Sequence, residues 1–283
     1  MYAVLMIDLK NSREYDYETR NIIQHSIIEC CYVLNKVFER NILRHVEFSA
    51  GDEVQGLFCS PEAAYLYYRW FIMMLDSVKV RAGIGVGSWD IQIEEKGTTA
   101  QDGKVYHNAR KALKEADEND GYPILFFSDT ELDPVVNSLI SASAFMMDKM
   151  SDFQKDLMLL TELYAPIGLD DDFMNGDIAK LCELIHYVRN KQVDGYERNI
   201  LRKGISGQVW EKVKSEMVTP IKFLNEKSFY IKNGRQRGVP SKLADVLGVS
   251  RQSVEKTMKV ANINGARNLV IAILRSMKYC VGK

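Results

Sequence analysis

The chain has 283 residues, of which 46% are hydrophobic and 27% are charged, and its formal net charge at pH 7 is -1. This length can bury a sizeable core and allows two domains of ordinary size. No window approaches the roughly 20 apolar residues of a membrane span, and no basic segment precedes the first apolar run, so we expect a cytoplasmic protein without a membrane partner. The five cysteines lack metal-binding or disulfide spacing, which argues against a zinc site and a disulfide framework.

Strand and helix patterns alternate in the first part of the chain. A short apolar run over residues 2–7 predicts a buried strand that ends at Asp8, and residues 17–40 have the apolar spacing of a helix. Two strand-like runs then flank Gly51, which predicts a tight hairpin turn. The later predicted elements are a helix over residues 61–75, a glycine-rich strand over 78–86, a helix over 104–116 and a strand over 122–127.

The order of the first six elements predicts an α+β fold. Strand, helix, strand, strand, helix, strand is the βαββαβ plan of ferredoxin-like domains, an antiparallel sheet with helices on one face. In this plan the first and third strands are neighbours, so Asp8 and Asp52 are expected to meet at one end of the sheet. We therefore predict a domain over residues 1–128, a helical connector region over 129–225 and a basic domain over 226–283.

The two aspartates have the chemistry of a metal site. Asp8 ends a strand and Asp52 follows the glycine of the hairpin, so each carboxylate is held by a short, ordered segment. Divalent cations such as Mg²⁺ or Mn²⁺ favour oxygen ligands and also bind substrate phosphates. Taken singly, a strand-terminal Asp is commonly a turn former and a Gly-Asp pair is commonly an ordinary hairpin. Together they predict metal-dependent nucleotide binding.

Charge is distributed unevenly along the chain. Residues 227–283 contain twelve Lys and Arg against two Asp and Glu, whereas residues 1–226 contain 25 basic and 36 acidic side chains. A basic terminal segment on an acidic remainder is typical of contact with a polyanion. A solvated basic surface is the alternative that charge alone leaves open.

The sequence of residues 241–258 predicts a helix-turn-helix. Gly248 supplies the turn and Ser250 caps the second helix, while Leu243, Leu247, Val249, Val254 and Met258 are expected to pack the two helices together. The second helix would present four side chains to double-stranded DNA, and three basic residues before it would contact the phosphate backbone. The first group is Arg251, Gln252, Ser253 and Lys256, and the second is Arg235, Arg237 and Lys242. The alternative is a helical hairpin used for protein packing.

Four segments of the first domain resemble the catalytic domain of class III nucleotide cyclases. They are Met6-Ile-Asp-Leu-Lys-Asn-Ser12, Ala50-Gly-Asp-Glu-Val-Gln-Gly-Leu-Phe58, Val80-Arg-Ala-Gly-Ile-Gly-Val-Gly87 and Val105-Tyr-His-Asn-Ala-Arg-Lys-Ala-Leu113. The Gly-Asp-Glu hairpin is also similar to that of diguanylate cyclases. With the predicted helix-turn-helix, nearly the whole chain resembles the SatD family.

The cyclase resemblance implies roles for individual residues. Asp8 and Asp52 match the two metal-binding aspartates, and Leu9 matches the position whose backbone carbonyl also faces a metal. Arg110 matches the catalytic arginine, which neutralises charge developing on the α-phosphate when the ribose 3′-hydroxyl attacks it. In the family this arginine acts across a dimer interface, so a homodimer is implied. An exposed arginine on an amphipathic helix is the other interpretation of Arg110.

Other positions agree with the cyclase pattern only in part. Gly51 and Glu53 belong to the hairpin and are assigned to nucleotide binding. Tyr106 stands where the family has the asparagine that orients the ribose, and Phe48 stands where a purine-selecting lysine is common. The resemblance therefore implies binding of metal and triphosphate, with a base choice and a catalytic orientation that differ from those of standard cyclases.

Three functions follow from these features. In the first, a nucleotide triphosphate or cyclic nucleotide binds the first domain and changes DNA binding by the basic domain. In the second, the first domain is an active cyclase or nucleotidyltransferase that makes a cyclic or linked nucleotide. In the third, the cyclase-like domain is a dimerising scaffold for a DNA-binding protein that has no ligand.

Overall fold

The computed structural model describes residues 1–75, 78–168, 179–185, 205, 207–213, 221–222, 231 and 237–281. The chain divides into two compact units. Unit 1 comprises Met1–Ala144 with Ile273–Lys283, and unit 2 comprises Phe145–Ala272. In the part of the chain that the structure describes, no helix is both long and apolar enough to cross a membrane.

Unit 1 contains a five-stranded sheet and its covering helices. The elements in chain order are β1 (Tyr2–Leu9), α1 (Tyr17–Val37), β2 (Ile42–Ala50), β3 (Glu53–Phe58), α2 (Pro61–Leu75), β4 (Val80–Gly87), α3 (Lys104–Glu118), β5 (Ile124–Phe127) and α4 (Asp133–Asp148), the last of which continues into unit 2. The predicted α+β class is confirmed. The strand after the hairpin turn begins at Glu53, directly beyond the two residues Gly51 and Asp52.

The sheet order is β2-β3-β1-β4-β5. Strands β2, β3, β1 and β4 pair antiparallel, whereas β5 pairs parallel to β4. The sheet is therefore mixed, and the prediction of a purely antiparallel sheet is wrong for its last strand. A parallel neighbour requires a crossover connection, which α3 provides between β4 and β5. Strand β1 lies beside β3, as the sequence predicted.

Helices lie on both faces of the sheet. Successive residues of a strand point to opposite sides, so the contacts of neighbouring β1 residues show which helix covers which face. Val4 and Met6 of β1 share a buried cluster with residues of α3. Ala3 points the other way and pairs with Phe58, whose ring packs against Tyr67 of α2 with centroids 5.4 Å apart. Helix α3 and helix α2 thus cover opposite faces. The βαββαβ prediction concerned only the first six elements, and α3 follows them in the chain.

Glycines in β4 allow α3 to approach the sheet closely. A Cβ atom on Gly83 would overlap the backbone of Leu113 and Ala109, and one on Gly85 would overlap the backbone of Ala109 and Val105. Glycine in a strand interior often marks such a close approach of a second backbone. The glycine-rich sequence of β4 therefore sets the distance between the sheet and α3.

We expect Gly85→Ala to destabilise unit 1 by about 2 kcal/mol, because its methyl group forces α3 away from a well-packed sheet. The measurement is the urea midpoint of unfolding. Gly121→Ala is the matched control, since nothing lies within 4 Å of a Cβ atom built there. Equal midpoints for the two variants would contradict the proposed close packing.

Unit 2 is largely helical in its described residues. Its elements are α5 (Asp152–Tyr164), a short helix (Gly207–Val213), α6 (Val239–Leu247), α7 (Arg251–Val260) and α8 (Ile263–Val281), which continues into unit 1. Residues 179–185 are also helical. The two-residue strands Ile167–Gly168 and Ile221–Lys222 pair parallel to each other. Helix α8 begins directly after Asn262, which has a positive φ of 50°.

Helices α6 and α7 are joined by the turn that the sequence predicted. Gly248 ends α6 with φ of 65°, and the Ser250 side chain caps α7 by accepting a hydrogen bond of 3.2 Å from the Ser253 amide. The residues buried in this helix pair include Leu243, Ala244, Val254 and Met258. The prediction that Val249 packs between the helices is wrong, because its side chain is 45% exposed. It lies in the turn itself, outside the apolar face of either helix.

Candidate functional site

Acidic side chains gather at one end of the sheet in unit 1. Asp8 is the penultimate residue of β1, and Glu53 is the first residue of β3. Between β2 and β3, Gly51 has φ of 61°, a backbone conformation that glycine adopts readily, and Asp52 follows it at the tip of the hairpin. Because β1 and β3 pair side by side, the hairpin acids and Asp8 lie at the same sheet end.

An arginine pairs with Asp8. Residue Arg81 of β4 lies opposite Asp8 in the sheet register, and its Nε donates to Asp8 Oδ2 at 2.8 Å. Its Nη1 also donates to Asp117 Oδ1 near the end of α3. The side chains of Asp8 and Arg81 are only 21% and 24% exposed, so this ion pair is partly shielded from solvent. The pair links the strand that presents Asp8 to α3.

Electrostatics at Asp8 are unfavourable for its charged form despite this pairing. Burial raises the pKa of the Asp8 carboxyl above its ordinary value, and the negative charges of Asp52 and Glu53 raise it further, while Arg81 lowers it. Asp8 and Asp52 thus repel each other as like charges at the same end of the sheet. An added cation at this position would relieve the repulsion among the carboxylates.

Glu53 connects the hairpin to α3. Its Oε1 accepts a hydrogen bond of 2.7 Å from the Ser49 hydroxyl and lies 3.5 Å from Nη2 of Arg110. Glu53 is 14% exposed, whereas the Arg110 side chain is 63% exposed. Arg110 thus has one nitrogen near the Glu53 carboxylate and most of its side chain exposed to solvent.

The carboxylates at this end of the sheet suit a hard cation whose remaining coordination positions are filled by water and by the phosphates of a bound ligand. Within the residues that the structure describes, no three Asp, Glu, His or Cys side chains are grouped as a ready metal cage. Mg²⁺ is commonly held by only one or two carboxylates together with water and substrate phosphates. Asp8 and Asp52 fit that pattern, with Glu53 contributing negative charge beside them.

Three other positions assigned from the resemblance have distinct surroundings. Tyr106 belongs to α3 and is buried in the apolar cluster between α3 and the sheet. Its hydroxyl lies 3.3 Å from the Thr98 hydroxyl. Burial raises the pKa of Tyr106. Leu9 is also buried, and Phe48 is partly buried on β2. The Tyr106 side chain therefore packs in the core, and its hydroxyl is turned toward Thr98.

Arg81 and Asp117 belong to the charged group at the acidic end of the sheet, and the sequence analysis predicted neither of them. The available signal was a single charged residue, Arg81, at the start of an otherwise apolar strand. Which residue lies opposite it depends on the register of β1 and β4, and register between strands that are distant in sequence is set by tertiary packing. Asp117 joins through the placement of α3.

A second candidate surface lies on α7 in unit 2. Arg251, Gln252, Ser253 and Lys256 are all exposed, as predicted. Arg251 also pairs with Glu255 one turn along the helix, through Nε at 3.0 Å and Nη2 at 2.9 Å from the same oxygen, Oε1. Its guanidinium is therefore held on the helix surface by a neighbouring carboxylate.

The basic residues predicted to precede this helix pair differ in their settings. Arg237 is exposed immediately before α6. The Lys242 ammonium lies over the ring of Tyr164, 5.6 Å from its centroid, so part of its surface is covered within unit 2. Arg235 lies outside the described residues.

Residues 2–200 match the SatD family. The chain belongs to the SatD family. The match includes every strand of the five-stranded sheet and both acidic segments, and it ends before α6. No curated protein matches the chain. In this SatD-family member, the acidic sheet end thus lies inside the matched region, and the basic helix pair lies beyond it.

We expect the Asp8 and Arg81 side chains to be energetically coupled by about 1 kcal/mol, because they are partly shielded from solvent. The measurement is a double-mutant cycle of Asp8→Asn and Arg81→Gln in urea unfolding. Lys114→Gln with Glu118→Gln provides the matched control, since that pair is 3.9 Å apart and both side chains are largely exposed. A coupling no larger than that of the control pair would contradict a structural role for the Asp8–Arg81 pair.

Proposed function

We propose that this chain is a nucleotide-binding regulator that contacts DNA. In this proposal, the first domain has a βαββαβ, cyclase-like fold and binds a nucleotide together with Mg²⁺ or Mn²⁺ at Asp8 and Asp52, and α6 and α7 form a DNA-binding helix-turn-helix. The observation that carries the proposal is the excess of carboxylate charge around Asp8, which persists although Arg81 is bonded to it. Such an excess favours a cation, and a cation in turn favours phosphate.

The fold proposal is supported by the order of the elements and of the strands. The chain runs β1-α1-β2-β3-α2-β4, and the corresponding part of the sheet is ordered β2-β3-β1-β4 with antiparallel neighbours. This is the arrangement of the βαββαβ plan. Strand β5 extends the sheet at the β4 edge, and helix α3 connects β4 to β5.

Each residue of the acidic end has a role in this proposal. The carboxylates of Asp8 and Asp52 hold the cation, which neutralises the phosphates of the nucleotide. Glu53, fixed by the Ser49 hydroxyl, restrains Arg110 beside the hairpin at 3.5 Å. The exposed part of the Arg110 guanidinium is then available to bind a phosphate oxygen, since a guanidinium has several donors in a planar fork.

DNA binding is supported by charge and exposure. Residues 227–283 hold twelve basic side chains against two acidic ones, and four polar or basic side chains of α7 are exposed on its first turns. A recognition helix contacts base edges mainly through its N-terminal residues. Arg251 and Lys256 are the two cations of α7 that would contact phosphates or bases.

Coupling between the two activities requires a difference in affinity. A nucleotide changes DNA binding only if it binds more tightly to the DNA-competent state than to the other state, or the reverse. A homodimer would provide such states through its interface, and the family resemblance implies one. The alternative function is a dimeric DNA-binding scaffold without a ligand. Thermal unfolding in the presence of nucleotides and metal distinguishes this scaffold from the proposed regulator.

Nucleotidyl transfer is the second candidate function. It is favoured by the position of Arg110, which lies next to Glu53 and therefore close to the hairpin of Asp52. An arginine placed there would stabilise charge that develops on the α-phosphate. Tyr106 is turned into the core, so the ribose would need another orienting group.

We expect one nucleoside triphosphate to raise the thermal unfolding temperature when Mg²⁺ or Mn²⁺ is present, and to raise it little when EDTA replaces the metal. Binding at a hundred times the Kd adds about 2.7 kcal/mol of stability. Asp52→Asn should remove the metal-dependent shift because it removes one ligand charge. Asp129→Asn is the control, an exposed carboxylate paired with Lys104 at 2.9 Å.

The outcomes separate the functions. If no nucleotide shifts the unfolding temperature, only the scaffold function remains. If a nucleotide stabilises the protein and pyrophosphate is released in a reaction that requires Asp52 and Arg110, the protein is an enzyme. If it stabilises the protein and no pyrophosphate is released, it is a binding regulator.

We expect Arg251→Glu and Lys256→Glu to weaken binding to a random-sequence DNA duplex at low salt by at least about tenfold each, and to reduce the salt dependence, because each substitution removes a phosphate or base contact. Fluorescence anisotropy over a salt series measures both quantities. Lys149→Glu, an exposed site in unit 2 with the same charge change, serves as the control. An equal loss in the control would assign the effect to net charge and contradict a DNA surface on α7.

A further inference from the structure

Unit 2 has a cavity of about 320 Å³ beside the helix pair, and the cavity is open to solvent on one side. Its wall is formed by the end of α5, the start of α6, the second half of α7 and the start of α8. This volume lies at the small end of ligand pockets, which span about 300 to 1,000 Å³. The cavity therefore has the capacity for a small molecule and lies next to the helix that carries Arg251 and Lys256.

A buried ion pair forms one side of the cavity. Arg267 lines it with a side chain that is only 1% exposed, and its Nη1 lies 2.7 Å from Oε1 of Glu162, which is fully buried. Arg267 also donates to the carbonyl oxygen of Ala165. Because Glu162 balances the charge of Arg267, this side is rigid and close to neutral.

An acceptor without a donor also lines the cavity. The side-chain oxygen Oδ1 of Asn264 is shielded from solvent, and no hydrogen-bond partner for it exists among the described residues. A buried polar atom left unpaired costs about 1 to 3 kcal/mol. A ligand N–H group would satisfy it once the Asn264 side chain turns this oxygen toward the cavity.

Two opposite charges on α7 complete the wall. Glu255 and Lys259 are one helical turn apart and both line the cavity. Glu255 uses Oε1 to hold Arg251, so a ligand cation would approach through its other oxygen. The wall thus offers acceptors at Glu255 and Asn264 and a cation at Lys259, which is complementary to a molecule that carries both an ammonium and a carboxylate group.

We propose that this cavity binds a small zwitterion of the size of a free amino acid. Its ammonium group binds Glu255 and Asn264 Oδ1, its carboxylate binds Lys259, and its side chain contacts the apolar part of the wall at Val239 and Met258. The near-neutral balance of the wall excludes a polyanion such as a nucleoside triphosphate. This site is thus distinct in ligand class from the acidic end of the sheet.

The ligand has a direct route to the DNA-binding surface. An ammonium bound to the second oxygen of Glu255 neutralises this carboxylate and so weakens its hold on Arg251 at Oε1, which leaves Arg251 more available to contact phosphate. This consequence rests on the proposed DNA binding, whereas the site itself does not. Amino-acid binding should therefore tighten DNA binding and should lose this effect in Arg251→Gln.

The test is calorimetric titration of the full chain with each of the twenty standard L-amino acids, supported by thermal unfolding. We expect at least one to bind, and its N-acetyl and amide derivatives to bind at least about tenfold more weakly, because each lacks one charge. Lys259→Met and Asn264→Ala should weaken binding to a similar extent. Lys149→Met, which removes the same charge at an exposed position of unit 2 outside the cavity wall, should leave amino-acid binding unchanged.

Absence of binding by all twenty amino acids would overturn the site. Binding that is unchanged in both Lys259→Met and Asn264→Ala would also overturn the site, because the ligand would then bind elsewhere. If an amino acid binds at the site without changing affinity for DNA, the coupling through Arg251 is wrong and the site stands. Failure of the chain to bind DNA at all contradicts the proposed function, and the calorimetric result is independent of it.

Discussion

Helix α3 approaches β4 so closely that no side chain fits between helix and strand at Gly83 or Gly85. This approach fixes the distance from the sheet to the face of α3 that carries Arg110 and Asp117. Both residues consequently reach the acidic end of the sheet, where they contact Glu53 and Arg81. A larger residue in β4 would displace α3 and separate the basic and acidic groups, so packing in the core determines the geometry of the candidate site.

The charge balance at the sheet end explains why this site suits a cation. Arg81 supplies one positive charge to Asp8, yet burial and the neighbouring acids still raise the pKa of the Asp8 carboxyl. One guanidinium shared with Asp117 does not neutralise the group. Arg81 is thus an internal counter-ion of Asp8 that offsets the acidic charge at this sheet end only in part.

Unit 2 uses paired charges in a different way. Arg267 and Glu162 are buried together and neutralise each other, so they shape a cavity without giving it a net charge. Arg251 and Glu255 are paired at the surface of α7, where solvent weakens the interaction and a competing group can replace either partner. The buried pair is thus fixed within the helices, and the exposed pair is held more weakly because it faces solvent.

Local features of this protein could be read from the sequence because neighbouring residues determine them. The strand that carries Asp8 one residue before its end, the hairpin turn at Gly51 and the capped start of α7 at Ser250 all follow from apolar periodicity and backbone preference. The family resemblance and the α+β class followed from the same segments and their order. The exposed residues of α7 were also predicted correctly, since helical periodicity decides which side faces solvent.

Only the tertiary structure decided the contacts between distant segments. The partnership of Asp8 with Arg81 depends on strand register, and the parallel addition of β5 depends on how α3 crosses the sheet. The cavity around Asn264 and Arg267 arises where four helices meet, although none of their sequences marks it. Such features require the summed packing of elements far apart in the chain, which no local pattern encodes.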